Sequence, residues 1–174
     1  MMRRALAVIG LVAAAGVSAE AQVSCLAIGA STCDVPGFTI SITVTQASRL
    51  VISGPTVTMP NPTDVELVAG FGLPGSLAYQ VRANSPWTLT VRGASATWTG
   101  TPASARQNKP VSDLQWATAP GGPFTDMTQV AANFASGTAT AGSYQSLFLR
   151  PKLGFALDLA GSYSIELLLT ITSP

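Results

Sequence analysis

Histidine is absent from the 174 residues, charged side chains make up only 10%, and there are two cysteines. Each scarcity removes a class of function. Without histidine no Ser-His-Asp or Cys-His arrangement can form, and the commonest general base is missing. Two cysteines without histidine do not complete a zinc site, and their spacing is not the Cys-x-x-Cys of a redox pair. The chain has no cluster of Lys and Arg with which to hold phosphates, which excludes nucleic acid as a partner. No dense Asp-x-Asp-x-Asp loop offers a calcium site, so neither metal nor cofactor is expected. The apolar run from Ala5 to Val17 falls short of the roughly 20 residues that cross a bilayer, so no membrane span is expected after the leader.

That run has a different meaning. It follows Met1-Met2-Arg3-Arg4 and precedes Ser18-Ala19-Glu20-Ala21. A cationic start, a short apolar core and an Ala-x-Ala site specify a secretory signal peptide over residues 1–21, cleaved after Ala21. Residues 22–174 then form one secreted domain, about 150 residues long and able to bury a core without a cofactor. The leader holds two of the nine basic and one of the eight acidic side chains, so the exported part is balanced at seven of each. In an exported protein Cys25 and Cys33 are expected to form a disulfide, closing a short loop worth about 2–3 kcal/mol in chain entropy.

Beyond the leader the dominant pattern has a period of two. Phe38, Ile40, Ile42 and Val44 alternate with Thr39, Ser41, Thr43 and Thr45. The same alternation runs through Leu77, Tyr79, Val81 and Ala83, through Trp87, Leu89 and Val91, and through Tyr163, Ile165, Leu167, Leu169 and Ile171. Successive side chains of extended chain point to opposite faces, so each run reads as a strand with one apolar face and one hydroxylated face. Weaker strands are expected at 49–52, 64–68, 111–117, 127–132 and 145–150. Gly54-Pro55, Pro60-Asn61-Pro62, Gly72-Leu73-Pro74-Gly75, Ser85-Pro86, Pro120-Gly121-Gly122-Pro123 and Gly161 turn the chain between them. Residues 94–108 read as a long exposed loop. The expected fold is all-β: an antiparallel immunoglobulin-like or jelly-roll sandwich of eight or nine strands.

Three groups of residues are candidates for function. Asp64, Glu66, Asp113, Asp126 and Asp158 are the carboxylates from which a glycosidase pair could be drawn, but they stand singly near turns and strand ends, so no catalytic residue is assigned. Trp98 and Trp116 are candidate sugar-stacking rings, whereas the parity of Trp87 places it in the core. The closing run 162–172 is long, with Glu166 as its single charge. It is either a central strand that closes the sandwich or an open edge that polymerises subunits by strand addition.

Two families share local features. Ser85-Pro86-Trp87-Thr88-Leu89-Thr90-Val91 resembles the first Trp-x-Leu motif of WxL-type cell-wall-binding domains, and residues 163–174 are similar to the way those domains end. That resemblance implies attachment to peptidoglycan through Trp87 and Leu89. The second Trp-x-Leu position, however, holds the aliphatic run Leu167-Leu168-Leu169. The entry Gly161-Ser162-Tyr163 into a terminal alternating strand resembles spore-coat-U-type fimbrial subunits, which implies an immunoglobulin-like domain that assembles by donating a strand. The functional expectation is a non-enzymatic extracellular, cell-surface or periplasmic structural or adhesive subunit, with self-association or cell-wall glycan as its partner. The alternative is a carbohydrate-binding module using Trp98 or Trp116.

Overall fold

The computed structural model describes residues 40–173. The expected signal peptide, Cys25 and Cys33 lie outside the described residues. All the described strands belong to one compact unit spanning Val44–Pro174.

The alternations at 77–83 and 87–91 form the strands they predict. In chain order the strands are β1 (Ser48–Ile52), β2 (Gly75–Ala83), β3 (Trp87–Gly93), β4 (Thr99–Thr101), β5 (Leu114–Ala117), β6 (Thr125–Asp126), β7 (Ala132–Gly137), β8 (Tyr144–Pro151), β9 (Ser162–Ser164) and β10 (Leu167–Thr172). There are ten described strands where eight or nine were expected. They pair antiparallel in a five-stranded sheet of order β1-β2-β8-β5-β6, a three-stranded sheet of order β10-β3-β7, and a β4-β9 ribbon.

The two larger sheets share one core, which makes the fold a sandwich. Tyr79, Val81, Leu147, Leu149 and Leu114 from the five-stranded sheet meet Trp87, Leu89, Val91 and Phe134 from the other in a single buried cluster with Trp98 and Met127. Phe134 reaches that cluster through a bulge: β3 pairs Leu89 with Ala135 and Thr90 with Asn133, leaving Phe134 as the extra residue. Its ring meets the Tyr79 ring edge-on at 5.3 Å.

Four expectations need correction. Residues 64–68 form a helix, α1 (Asp64–Ala69), instead of a strand. The Glu66 carboxylate accepts hydrogen bonds from the backbone N–H (2.8 Å) and the hydroxyl of Thr63, and Gly70 ends the helix at φ 82°, donating its N–H to the Glu66 carbonyl. These local caps outweigh the strand preference of Val65 and Val68. Second, 127–132 is not a strand, since β6 ends at Asp126 and β7 begins at Ala132, and the strand expected over 111–117 is confined to Leu114–Ala117 because Val111–Asp113 form a turn of 3-10 helix. Third, 94–108 is not simply exposed loop, because it contains β4 and the buried Trp98 and Ala105. Fourth, the closing run is two strands in two sheets. β9 pairs with β4, the chain breaks at Ile165–Glu166, and β10 pairs with β3 and, among the described strands, stands at the edge of its sheet and not at its centre. No helix among the described residues is long and apolar enough to cross a membrane.

Candidate functional site

The site starts from the edge position of β10. Leu167, Leu169 and Ile171 point to the core side, as period-two geometry requires, yet each is only half-buried, whereas the corresponding residues of its neighbour, Leu89 and Val91, are completely covered. The difference is positional: among the described strands β3 has a partner on both sides and β10 on one. β1, the edge strand of the facing sheet, approaches β10, but among the described residues no backbone hydrogen bond joins them. Leu50 of β1 and Val57 and Met59 beyond it are likewise half-covered against the core. The sandwich therefore has a seam between β1 and β10, lined by apolar side chains that no strand among the described residues covers, with alternate N–H and C=O groups of β10 directed away from β3.

The described chain also contains a segment with complementary chemistry. No charged residue occurs between Asp34 and Arg49. Within that stretch Ile40, Ile42 and Val44 are 82%, 85% and 73% exposed, and residues 40–47 form no strand. The alternation beginning at Phe38 thus does not become a strand of this domain at its described residues. Three β-branched apolar side chains on one face of five residues form an uncovered row, which natural sequences avoid on a free surface. The row is short enough to fit beside a six-residue edge strand such as β10.

Most of the other sequence candidates are used internally. Trp87 and Leu89 are buried in β3, and the Trp87 indole N–H donates to the Thr138 carbonyl at 2.9 Å. Trp98 is only 7% exposed, with the Lys109 ammonium 5.8 Å from its ring, so it has no open face for a sugar. Trp116 is half-buried, edge-on to Phe134 at 6.3 Å.

Three of the five candidate carboxylates, Asp113, Asp126 and Asp158, are paired with cations. Asp158, whose side chain is 3% exposed, receives Lys109 Nζ at 3.0 Å, Arg106 Nη1 at 3.4 Å and the Gly154 backbone N–H at 2.7 Å. Asp113 receives the same two side chains, Arg106 at 3.0 Å and Lys109 at 3.3 Å, and Lys109 also donates to the Lys152 carbonyl at 2.7 Å. Lys109 itself is 1% exposed. Asp113 and Asp158 are thus brought together, but two cations and two anions neutralise one another in a closed knot, with no substrate path to Asp158. Asp126 bonds Lys152 and Gln115, and these bonds, led by the one from Lys152, hold its carboxyl below the usual range. Arg150, which also donates to Gln115, lies between the rings of Phe71 (4.3 Å) and Phe124 (4.0 Å). Glu66 is lowered by its hydrogen bonds from Thr63, and burial raises the Tyr79 phenol.

Sequence reasoning missed Asn84. Its side chain accepts from the Ala47 N–H at 2.7 Å and donates to the Thr45 carbonyl at 2.8 Å, tying down the residues just ahead of β1. The signal available was an amide side chain immediately before Ser85-Pro86, where the backbone cannot continue a ladder.

No family model matches the chain, and no curated protein matches it. Among solved structures the chain is similar to one of a chaperone-usher pilus, at 10% identity and a TM-score of 0.45, covering 85% of this chain and 99% of that one. It is also similar to the P pilus rod subunit PapA, at 13% identity and a TM-score of 0.45, covering 79% of this chain and all of that one.

Proposed function

We propose that the chain is a structural subunit of an extracellular or cell-surface filament or coat, assembled by strand addition: Ile40–Val44 of one copy lies along the open edge of β10 in the next. The observation that carries this is the exposure of Ile40, Ile42 and Val44 in the same molecule that leaves Leu167, Leu169 and Ile171 half-covered on an edge strand. Both rows have a period of two and lack charge, so a donated strand would place its apolar face on the core side and its Ser41 and Thr43 hydroxyls outward. Burying the three donor side chains contributes about 5–8 kcal/mol gross, before the ladder hydrogen bonds and the cost of ordering the segment.

In this reading residues 1–21 direct export, and a Cys25–Cys33 disulfide constrains the chain ahead of the donor. The role is non-enzymatic, and the Arg106–Lys109–Asp113–Asp158 knot fixes the loops on which its residues stand. The test is light scattering after size exclusion, with electron microscopy, on the exported protein over a range of concentrations. Concentration-dependent oligomers are expected, and Ile42→Asp should abolish them. A species that stays monomeric at every concentration would contradict the proposal.

A further inference from the structure

We infer that Asn84 makes the strand exchange intermolecular by preventing Ile40–Val44 from folding back onto its own domain; this rests on the strand-addition reading above. The free edge of β1 faces the same seam as β10, and only Thr45, Gln46 and Ala47 separate Val44 from the start of β1. Three residues suffice for a β-hairpin loop. A hairpin turning at 45–47 would lay the apolar row antiparallel against the outer edge of β1, where it would satisfy its own seam and leave nothing to donate.

Asn84 occupies those three residues in another way. β1 and β2 pair up to Ser48 opposite Ala83, and the ladder takes one further step, with the Asn84 N–H donating to the Ala47 carbonyl at 3.2 Å. It can go no further through the backbone, because Ser85-Pro86 turns the chain toward β3 and Pro86 has no N–H. The Asn84 carboxamide substitutes for the next peptide group: Oδ1 accepts from Ala47 and Nδ2 donates to Thr45. An N–H at residue 47 and a C=O at residue 45, both directed at one amide, belong to a chain held alongside β2. The hairpin would require these residues to turn, breaking the bonds. Asn84 is therefore a positioning residue. Its side-chain hydrogen bonds go to Thr45 and Ala47, outside both β10 and the apolar row, and it acts by holding the root of the donor.

The experiment compares the exported protein with Asn84→Ala and Asn84→Asp, the latter keeping the acceptor and losing the donor. Assembly is read by light scattering, and a synthetic peptide of residues 38–46 is used as competitor. The wild type is expected to oligomerise and to be dispersed by the peptide. Asn84→Ala should shift toward a folded monomer that no longer binds the peptide, its self-association weakened roughly 5- to 30-fold, with Asn84→Asp between the two. A melting temperature for the monomer at or above that of dilute wild type would mark a filled seam, which a merely loosened root would not produce. If the wild type neither assembles nor binds the peptide, the strand-addition reading itself fails. If the wild type behaves as expected but both variants assemble and bind peptide equally well, the role of Asn84 is refuted. Should Asn84→Ala fail to fold, Asn84→Asp alone decides: unchanged assembly refutes the role, and an increase in peptide-resistant monomer supports it.

Discussion

Replacing Lys109 with methionine keeps most of the side-chain volume and removes one charge from the knot. Nζ makes contacts of 2.7 Å to the Lys152 carbonyl, 3.0 Å to Asp158 and 3.3 Å to Asp113, the Lys109 and Asp158 side chains being buried and that of Asp113 19% exposed. After the substitution Asp158, 3% exposed, keeps only Arg106 at 3.4 Å as a counter-charge, and the Lys152 carbonyl loses its ammonium donor. Breaking a buried pair from one side costs about 3–5 kcal/mol, because the remaining charge is desolvated without a partner. In a domain of this size that is a fall in Tm of about 10–15 °C. The double change Lys109→Met with Asp158→Leu removes one charge of each sign and leaves Arg106 paired with Asp113. It should therefore be less damaging than the sum of the single changes by about 2 kcal/mol, less whatever the Gly154 N–H loses. Chemical denaturation of the four species closes the cycle. A cost below about 1 kcal/mol for Lys109→Met, the size of a surface pair, would show that the knot is not buried as described.

Lys152 and Asp126 form the contrasting exposed pair, at 31% and 47% side-chain exposure, so Lys152→Met should lower stability at neutral pH by less than about 1 kcal/mol. Because the folded Asp126 carboxyl is held below its ordinary value, this contribution is present above that value and fades as pH falls through the lower folded one; the wild-type and variant denaturation curves should converge in acid. Leu89, fully buried between β10 and β7, should cost about 2–5 kcal/mol as Leu89→Ala by the same denaturation assay. Gly142 sits at φ +90°, and an added Cβ would come within 2.5 Å of the Val81 carbonyl, so Gly142→Ala should destabilise by at least about 1 kcal/mol, seen as a lowered Tm.

The parts of the fold legible in the sequence are those where periodicity and burial agree. β2 and β3 are buried on one face along their whole length, and their alternation placed Tyr79, Val81, Leu89 and Val91 in the core without knowledge of the topology. Helix α1 escaped because Val65 and Val68 suggest a strand, while the deciding signals, Thr63 with Glu66 three residues on and Gly70 after the last turn, are local and polar. The closing run shows one unbroken alternation, yet it serves two sheets. A break at Ile165–Glu166 that preserves side-chain parity leaves no mark on the period. Residues 94–108 read as exposed because their burial depends on distant groups, with Asp158 meeting Arg106 and Lys109 from the far end of the chain. The same distance hid the site. That 38–44 could form a strand was visible; that Ile40, Ile42 and Val44 stay uncovered while β10 lies at an edge depends on pairing, which alternation does not encode.

Assembly by strand addition requires the outer edge of β10 to acquire a partner when copies meet. Hydrogen exchange over Leu167–Thr172 measures this directly, because half of those amides point away from β3 and have no ladder partner among the described residues of a single copy. In dilute protein about half the β10 amides should exchange rapidly, and in assembled protein the fast half should become protected together with the amides of 40–44. Assemblies in which both segments exchange as they do in dilute protein would contradict the account.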